Sequence, residues 1–294
     1  MDAPSWTEVR VVVPAGWHEL VAGALAGGPC TSVVVESEGE REVVLSYLSS
    51  TEDTPERRTE VAGAVAALAH TDPELAGLLP TFTALPPEDY AESWKDSWRA
   101  FRLGRRLVVA PPWWQGAVRP GELRLELEPG GSFGSGRHPT TRACLRALLA
   151  RVRGGERVLD VGSGNGVLGV TAALLGAEQV LGFDLDPHAP AYGAALAGAN
   201  GVAERCSFRE GGFEVLGPSD TGFDILTANI YADVLQAHAL DLAGRLGPTG
   251  WFVFSGVARA HADATTTAIT AAGLELEEQH RRGRWFTFIG SQGR

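Results

Sequence analysis

The nine residues Val158-Leu159-Asp160-Val161-Gly162-Ser163-Gly164-Asn165-Gly166 limit the fold more than any other part of the chain. An apolar run, too short to be a helix, ends on three alternating glycines and passes into Leu168–Leu175, a stretch patterned as helix. A buried strand that turns through glycines into a helix opens a βαβ unit, and such units build parallel sheets. Glycine lacks Cβ, so the loop is free to adopt positive φ and to let a ligand lie against its backbone.

The flanking pattern agrees. Arg157–Val161, Gln179–Asp184, Asp224–Ala228 and Trp251–Phe254 read as short buried strands. Helical stretches near Leu168–Leu175, Ala189–Ala199, Asp233–Leu246 and Ala258–Ala272 separate them. This alternation predicts an α/β domain with a mostly parallel sheet covered on both faces. The tail reads as two strands, Leu274–Glu278 and Trp285–Ile289, across a loop holding Arg281-Arg282-Gly283-Arg284.

The first ninety residues follow another rhythm. Val9–Val13, Ser32–Ser37, Glu42–Leu48 and Phe82–Leu85 read as strands, Trp17–Leu25 and Glu56–Ala69 as helices. Thr54-Pro55 is a cap followed by proline at the first helical position. The order β-α-β-β-α-β predicts a small α+β ferredoxin-like unit. Leu85-Pro86-Pro87-Glu88-Asp89 ends it, and Trp94, Trp98 and Phe101 then fall on one face of a helix. Either that helix connects two domains or it packs on the second core. The expected organisation is residues 1–87, a linker helix over 88–103, and a catalytic domain over 104–294.

Charge divides along the same line. Residues 1–90 hold fifteen Asp and Glu against Arg10, Arg41, Arg57 and Arg58, so the whole net charge of −11 lies there. Residues 91–294 balance to zero. An acidic first domain disfavours nucleic acid or an anionic membrane as its partner and suits a basic one; a solvated face that aids solubility is the plainer alternative. No direct nucleic-acid binding and no membrane association is expected. Cys30, Cys144 and Cys206 are far apart and odd in number, against a disulfide framework or a metal site. The opening Met1-Asp2-Ala3-Pro4-Ser5-Trp6 lacks the pattern of a secretory signal, so the expected location is cytoplasmic.

Two cofactor classes use such a glycine loop. Read as Gly164-x-Gly166-x-x-Gly169, it fits a dinucleotide fingerprint, with Asp184 at the place of a ribose carboxylate. Three features favour S-adenosylmethionine instead. Asp160, inside the strand end before the first glycine, is unwelcoming to a pyrophosphate but suits a cationic sulfonium and ammonium. The triplet Gly162-x-Gly164-x-Gly166 has the methyltransferase form. Asp184, at the next strand end, is placed to accept hydrogen bonds from both ribose hydroxyls. The single lysine, Lys95, leaves no Tyr-x-x-x-Lys pair for hydride chemistry.

Two further segments carry chemistry. Residues 128–141, ending Phe133-Gly134-Ser135-Gly136-Arg137-His138-Pro139-Thr140-Thr141, form a glycine-rich lead into a helix that Thr140 or Thr141 is expected to cap. His138 is read as structural, with a base role as the alternative. Thr227-Ala228-Asn229-Ile230-Tyr231-Ala232 puts Asn229 at the end of a strand, where open α/β sheets bind ligands. Its carbonyl is suited to orienting an attacking amine, with Phe133 or Tyr231 walling the channel.

Together with Trp94-Lys95-Asp96-Ser97-Trp98, these segments in this order resemble the PrmA family, bacterial methyltransferases of the eleventh protein of the large ribosomal subunit. The resemblance spans essentially the whole chain. It implies a class I S-adenosylmethionine-dependent methyltransferase fold (Rossmann-like) and an N-terminal domain that recognises a basic ribosomal protein. It also implies methylation of lysine ε-amino and N-terminal α-amino groups. On matching positions, Thr141, Gly162, Asp184 and Asn229 would contact the cofactor, joined by Phe133, Asp160, Gly164 and Gly166 from the reading above. Asn229 is the candidate catalytic residue. Ser135 stands where the family commonly has threonine, which keeps the hydroxyl. The alternative acceptor is a different protein lysine or a small amine; an NAD-dependent oxidoreductase and a non-catalytic binding module are the other classes.

Overall fold

The computed structural model describes residues 6–14, 16–26, 33–38, 41–49, 51–70, 72–85, 99–128 and 136–293. It divides the chain into two compact units, Met1–Arg99 and Ala100–Arg294.

The first unit contains β1 (Trp6–Pro14), α1 (His18–Ala26), β2 (Val33–Glu38), β3 (Arg41–Ser49), α2 (Pro55–Ala67) and β4 (Thr81–Leu85). Its strands pair antiparallel in the order β2-β3-β1-β4, the ferredoxin-like arrangement expected. Alternation along β1 buries Thr7, Val9, Val11 and Val13. The valines pack with Val21 and Leu25 of α1 and with Val61 and Val65 of α2. Thr54 caps α2, its side chain accepting from Arg57 N–H at 3.2 Å, with Pro55 opening the helix.

The second unit begins with a small sheet of β5 (Phe101–Leu103), β6 (Leu107–Ala110) and β7 (Leu123–Glu126). Most of the expected linker helix, residues 88–98 of 88–103, lies outside the described residues. Its far end is corrected: Phe101 belongs to β5, where pairing with Val109 replaces helical geometry. The main sheet consists of β8 (Arg157–Val161), β9 (Gln179–Asp184), β10 (Cys206–Glu210), β11 (Phe223–Asn229), β12 (Leu246–Ala258), β13 (Leu274–Arg282) and β14 (Trp285–Gln292). Among the helices described here are α3 (Pro139–Arg151), α4 (Val167–Leu174), α5 (Ala189–Ala199), α6 (Ala232–Arg245) and α7 (Ala262–Ala271).

The seven strands run in the order β10-β9-β8-β11-β12-β14-β13. The first five are parallel, and β14 runs antiparallel between β12 and β13. That reversed strand distinguishes the sheet from the all-parallel dinucleotide-binding order and gives the class I methyltransferase fold. Both faces are buried, so successive residues of one strand serve opposite cores. Val158, Val180, Ile225 and Val253 meet α3, α4 and α5, while Leu159, Leu181, Leu226 and Phe252 meet α6 and α7. Double-sided burial demands the continuous apolar runs seen in the sequence.

Chain order reverses direction across the sheet between β8 and β11, which makes their carboxyl ends the switch point where open sheets bind ligands. No helix among the described residues is long and apolar enough to cross a membrane.

Candidate functional site

The glycine loop leaves β8 with positive φ at Gly162 (65°), Gly164 (53°) and Gly166 (80°). Side chains are excluded as well as disfavoured there. A Cβ on Gly162 would sit 2.3 Å from Ile230 Cγ2, and one on Gly166 would meet Phe208 at 2.9 Å. The loop is pinned from β9: Gly164 N–H donates to Asp184 Oδ2 at 2.7 Å and Ser163 N–H to the Phe183 carbonyl at 3.0 Å.

Asp184 sits at the carboxyl end of β9, and its Oδ1 accepts from Asp186 N–H at 2.9 Å. A carboxylate offers about four lone-pair directions, so two remain for a ligand diol. The next residue, Leu185, is 76% exposed. Gly211 N–H donates to the Asp184 carbonyl at 2.8 Å, and Phe213 packs edge-on against Phe183 with ring centroids 5.3 Å apart. Leu185 and Phe213 were missed in the sequence. The signal for Leu185 was available, as a large apolar residue between two aspartates beyond a strand end.

Asp160 has a different task from the one its position suggested. It is 1% exposed, and both oxygens are taken: Oδ1 accepts from the Thr227 hydroxyl at 2.6 Å and Oδ2 from Gly169 N–H at 3.0 Å. It therefore ties the first turn of α4 to β11 behind the loop. Burial pushes its carboxyl up to about 7, and the Asp184 charge adds to the rise. Among the described residues Asp184 is paired with no basic side chain, which leaves a carboxylate at the switch point that suits a cation.

On the other side of the switch point, Asn229 ends β11 and Thr141 lies in the first turn of α3. Asn229 Nδ2 donates to Thr141 Oγ1 at 3.3 Å, across 88 residues of sequence. No described group donates to Asn229 Oδ1, which leaves that oxygen to accept. Ile230 follows with its N–H on the Ser255 carbonyl at 3.2 Å, and its side chain fills the space beside Gly162. Gly256 (φ 85°) allows this approach, since a Cβ there would lie 2.4 Å from the Ile230 carbonyl oxygen. Tyr231 is 79% exposed at the start of α6. Phe133 and Ser135 lie outside the described residues.

The cap of α3 is His138 and neither threonine. Pro139 opens the helix, so the residue before it takes the capping place and accepts from Thr140 N–H. His138 Nδ1 also meets Thr140 Oγ1 at 2.6 Å, and the buried ring packs edge-on against Trp285. These contacts make it a structural histidine.

A three-glycine loop without Cβ atoms, a strand-end carboxylate with free lone pairs and an amide–hydroxyl pair fit S-adenosylmethionine. A family model described as ribosomal protein L11 methyltransferase (PrmA) matches residues 5–293. The chain belongs to the PrmA family. A ribosomal protein L11 methyltransferase of Pelotomaculum thermopropionicum is 36% identical, the match covering 95% of this chain and 96% of the relative. One from Geobacter metallireducens is 31% identical over 98% and 99%. The solved ribosomal protein L11 methylase of Lactobacillus delbrueckii subsp. bulgaricus superposes with TM-score 0.62 and 26% identity, covering 67% of this chain and all of that one. Like other members of the PrmA family, the chain is an S-adenosylmethionine-dependent methyltransferase.

Proposed function

We propose that this enzyme methylates lysine ε-amino and N-terminal α-amino groups of the eleventh protein of the large ribosomal subunit, in the cytoplasm. The observation that carries the reading is the Asn229–Thr141 pair at the switch point, joined to the full-length family match. When bound, S-adenosylmethionine supplies an electrophilic methyl carbon on a positively charged sulfur.

In this reading Asp184 holds the ribose hydroxyls, the Gly162–Gly166 backbone lies along the cofactor, and Leu185 offers an apolar surface beside it. Thr141, Phe133 and Asn229 complete the binding set. Asp160 acts through the loop as a positioning residue. Thr141 fixes the Asn229 amide by accepting from Nδ2, which leaves Oδ1 as the acceptor for one N–H of the incoming amine. That hydrogen bond orients the nitrogen lone pair toward the methyl group. Positioning of this kind supplies about 7–11 kcal/mol of effective concentration.

The amine must also be neutral. Removing the lysine proton costs about 4–5 kcal/mol at pH 7, against about 1 kcal/mol for an α-amine. Desolvation of an ammonium beside a sulfonium lowers that cost, so no dedicated side-chain base is required. Residues 1–87 are the proposed recognition domain, and the acidic excess of the first ninety residues is complementary to a basic ribosomal protein.

The test is intact-mass spectrometry of unmodified large-subunit ribosomal proteins incubated with the enzyme and S-adenosylmethionine. Methyl-sized steps confined to the eleventh protein, mapped to lysines and the N-terminus, are expected. Steps on another protein, or none despite cofactor binding, would overturn the assignment of the acceptor.

A further inference from the structure

Residues 91–294 balance to zero charge in sequence, yet the fold gathers arginines onto one part of the second unit. Arg142 and Arg146 lie one turn apart on α3. The guanidinium carbons of Arg137 and Arg142 stand 5.5 and 5.2 Å from the centre of the Phe101 ring. Half-burial, then the positive charges of Arg146, Arg282 and Arg137, hold the Arg142 pKa below its ordinary value. In the turn between β5 and β6, Arg105 and Arg106 join Arg146 around a surface cavity of about 320 Å³ lined also by Leu103, Leu149 and Ala150.

Elsewhere in this unit some arginines are held by carboxylates and others by backbone carbonyls, as Arg153 is by Ala150 and Arg157 by Thr221. Arg102 pairs with Glu122, Arg124 with Glu126, Arg151 with Glu277 and Glu278, Arg209 with Asp220, and Arg245 with Asp241. Among the described residues no carboxylate pairs with Arg105, Arg142, Arg146 or Arg282. The like charges gathered around Arg142 repel one another. A ligand with several regularly spaced negative charges would relieve that repulsion.

We propose that this arginine face binds the phosphodiester backbone of RNA. Guanidinium forks match phosphate oxygens two at a time and stay charged when partly buried. Several forks spread over α3, the β5–β6 turn and the end of β13 suit a repeating anion better than one carboxylate. The inference rests on charge and geometry alone and holds for any methyl acceptor. An acceptor taken from a ribosome would bring RNA within reach of such a face.

The experiment is fluorescence anisotropy of a labelled stem–loop RNA of roughly 30 nucleotides with the full chain, from about 25 to about 200 mM salt. Binding should weaken with salt, log K against log salt falling by about 0.7–0.9 per phosphate neutralised. The R146Q/R282Q double variant should lose about two such contacts and at least about tenfold in affinity at intermediate salt. Its melting curve and its methyl transfer to free substrate should be unchanged. Absence of binding at the lowest salt, or an unchanged salt slope in the folded variant, would overturn the proposal. So would displacement of the RNA by poly-glutamate at equal charge, which would assign the face to an acidic protein.

Discussion

The hydrogen bond between Thr227 and Asp160 gives a test of how the cofactor loop is held. Thr227 is fully buried, and its hydroxyl donates to Asp160 Oδ1 at 2.6 Å. Thr227→Val keeps the volume and removes the donor. Burial raises the Asp160 carboxyl to about 7 from 3.8, while the bonds from Thr227 and Gly169 pull it down. The folded protein therefore holds this proton more tightly than the unfolded chain. The resulting stabilisation is fully present below the unfolded value and is lost as pH rises through about 7. Near pH 8 the bond goes to a charged carboxylate, and its loss costs about 1.5–3 kcal/mol; near pH 5.5 the acid is neutral and the loss is about 0.5–1.5 kcal/mol. For a domain of this size each kcal/mol lowers the melting temperature by about 2–4 °C. Thermal melts of the full chain and the variant at both pH values should show the larger drop at the higher one. Equal drops would refute an ionisable Asp160 held through Thr227, and so would no drop at all.

Three other outcomes follow from the site. Asp184→Ala removes the acceptor of Gly164 N–H as well as the proposed ribose partner, so calorimetric titration should show S-adenosylmethionine binding weakened at least about tenfold, a loss of roughly 1.4 kcal/mol. Asn229→Ala should reduce kcat by about tenfold or more and lower cofactor affinity by far less, because the orienting contact matters in the transition state; equal losses in both would refute that role. The association rate with a basic substrate protein should fall steeply with ionic strength if residues 1–90 steer it. A salt-independent rate, read by stopped flow, would return the acidic surface to a role in solubility.

β8 and β9 were legible to the residue, as Arg157–Val161 and Gln179–Asp184, because burial on both faces leaves an apolar run bounded by polar ends. β10, Cys206–Glu210, escaped because it is an edge strand of mixed polarity. β5, β6 and β7 escaped because three or four residues carry no readable period. Phe101 shows the opposite error: helical spacing with Trp94 and Trp98 is a local pattern, and pairing with Val109 overrode it.

By itself the sequence determined the glycine loop, the strand ends that carry Asp184 and Asn229, and the alternation that makes an α/β sheet. These are local properties, written into backbone freedom and hydrophobic period. Only the tertiary structure decided that Asn229 meets Thr141, that Asp160 serves the loop from behind, and that Arg142 stands among Arg137, Arg146 and Arg282. Each of those is a juxtaposition across long stretches of chain, set by how helices and strands pack.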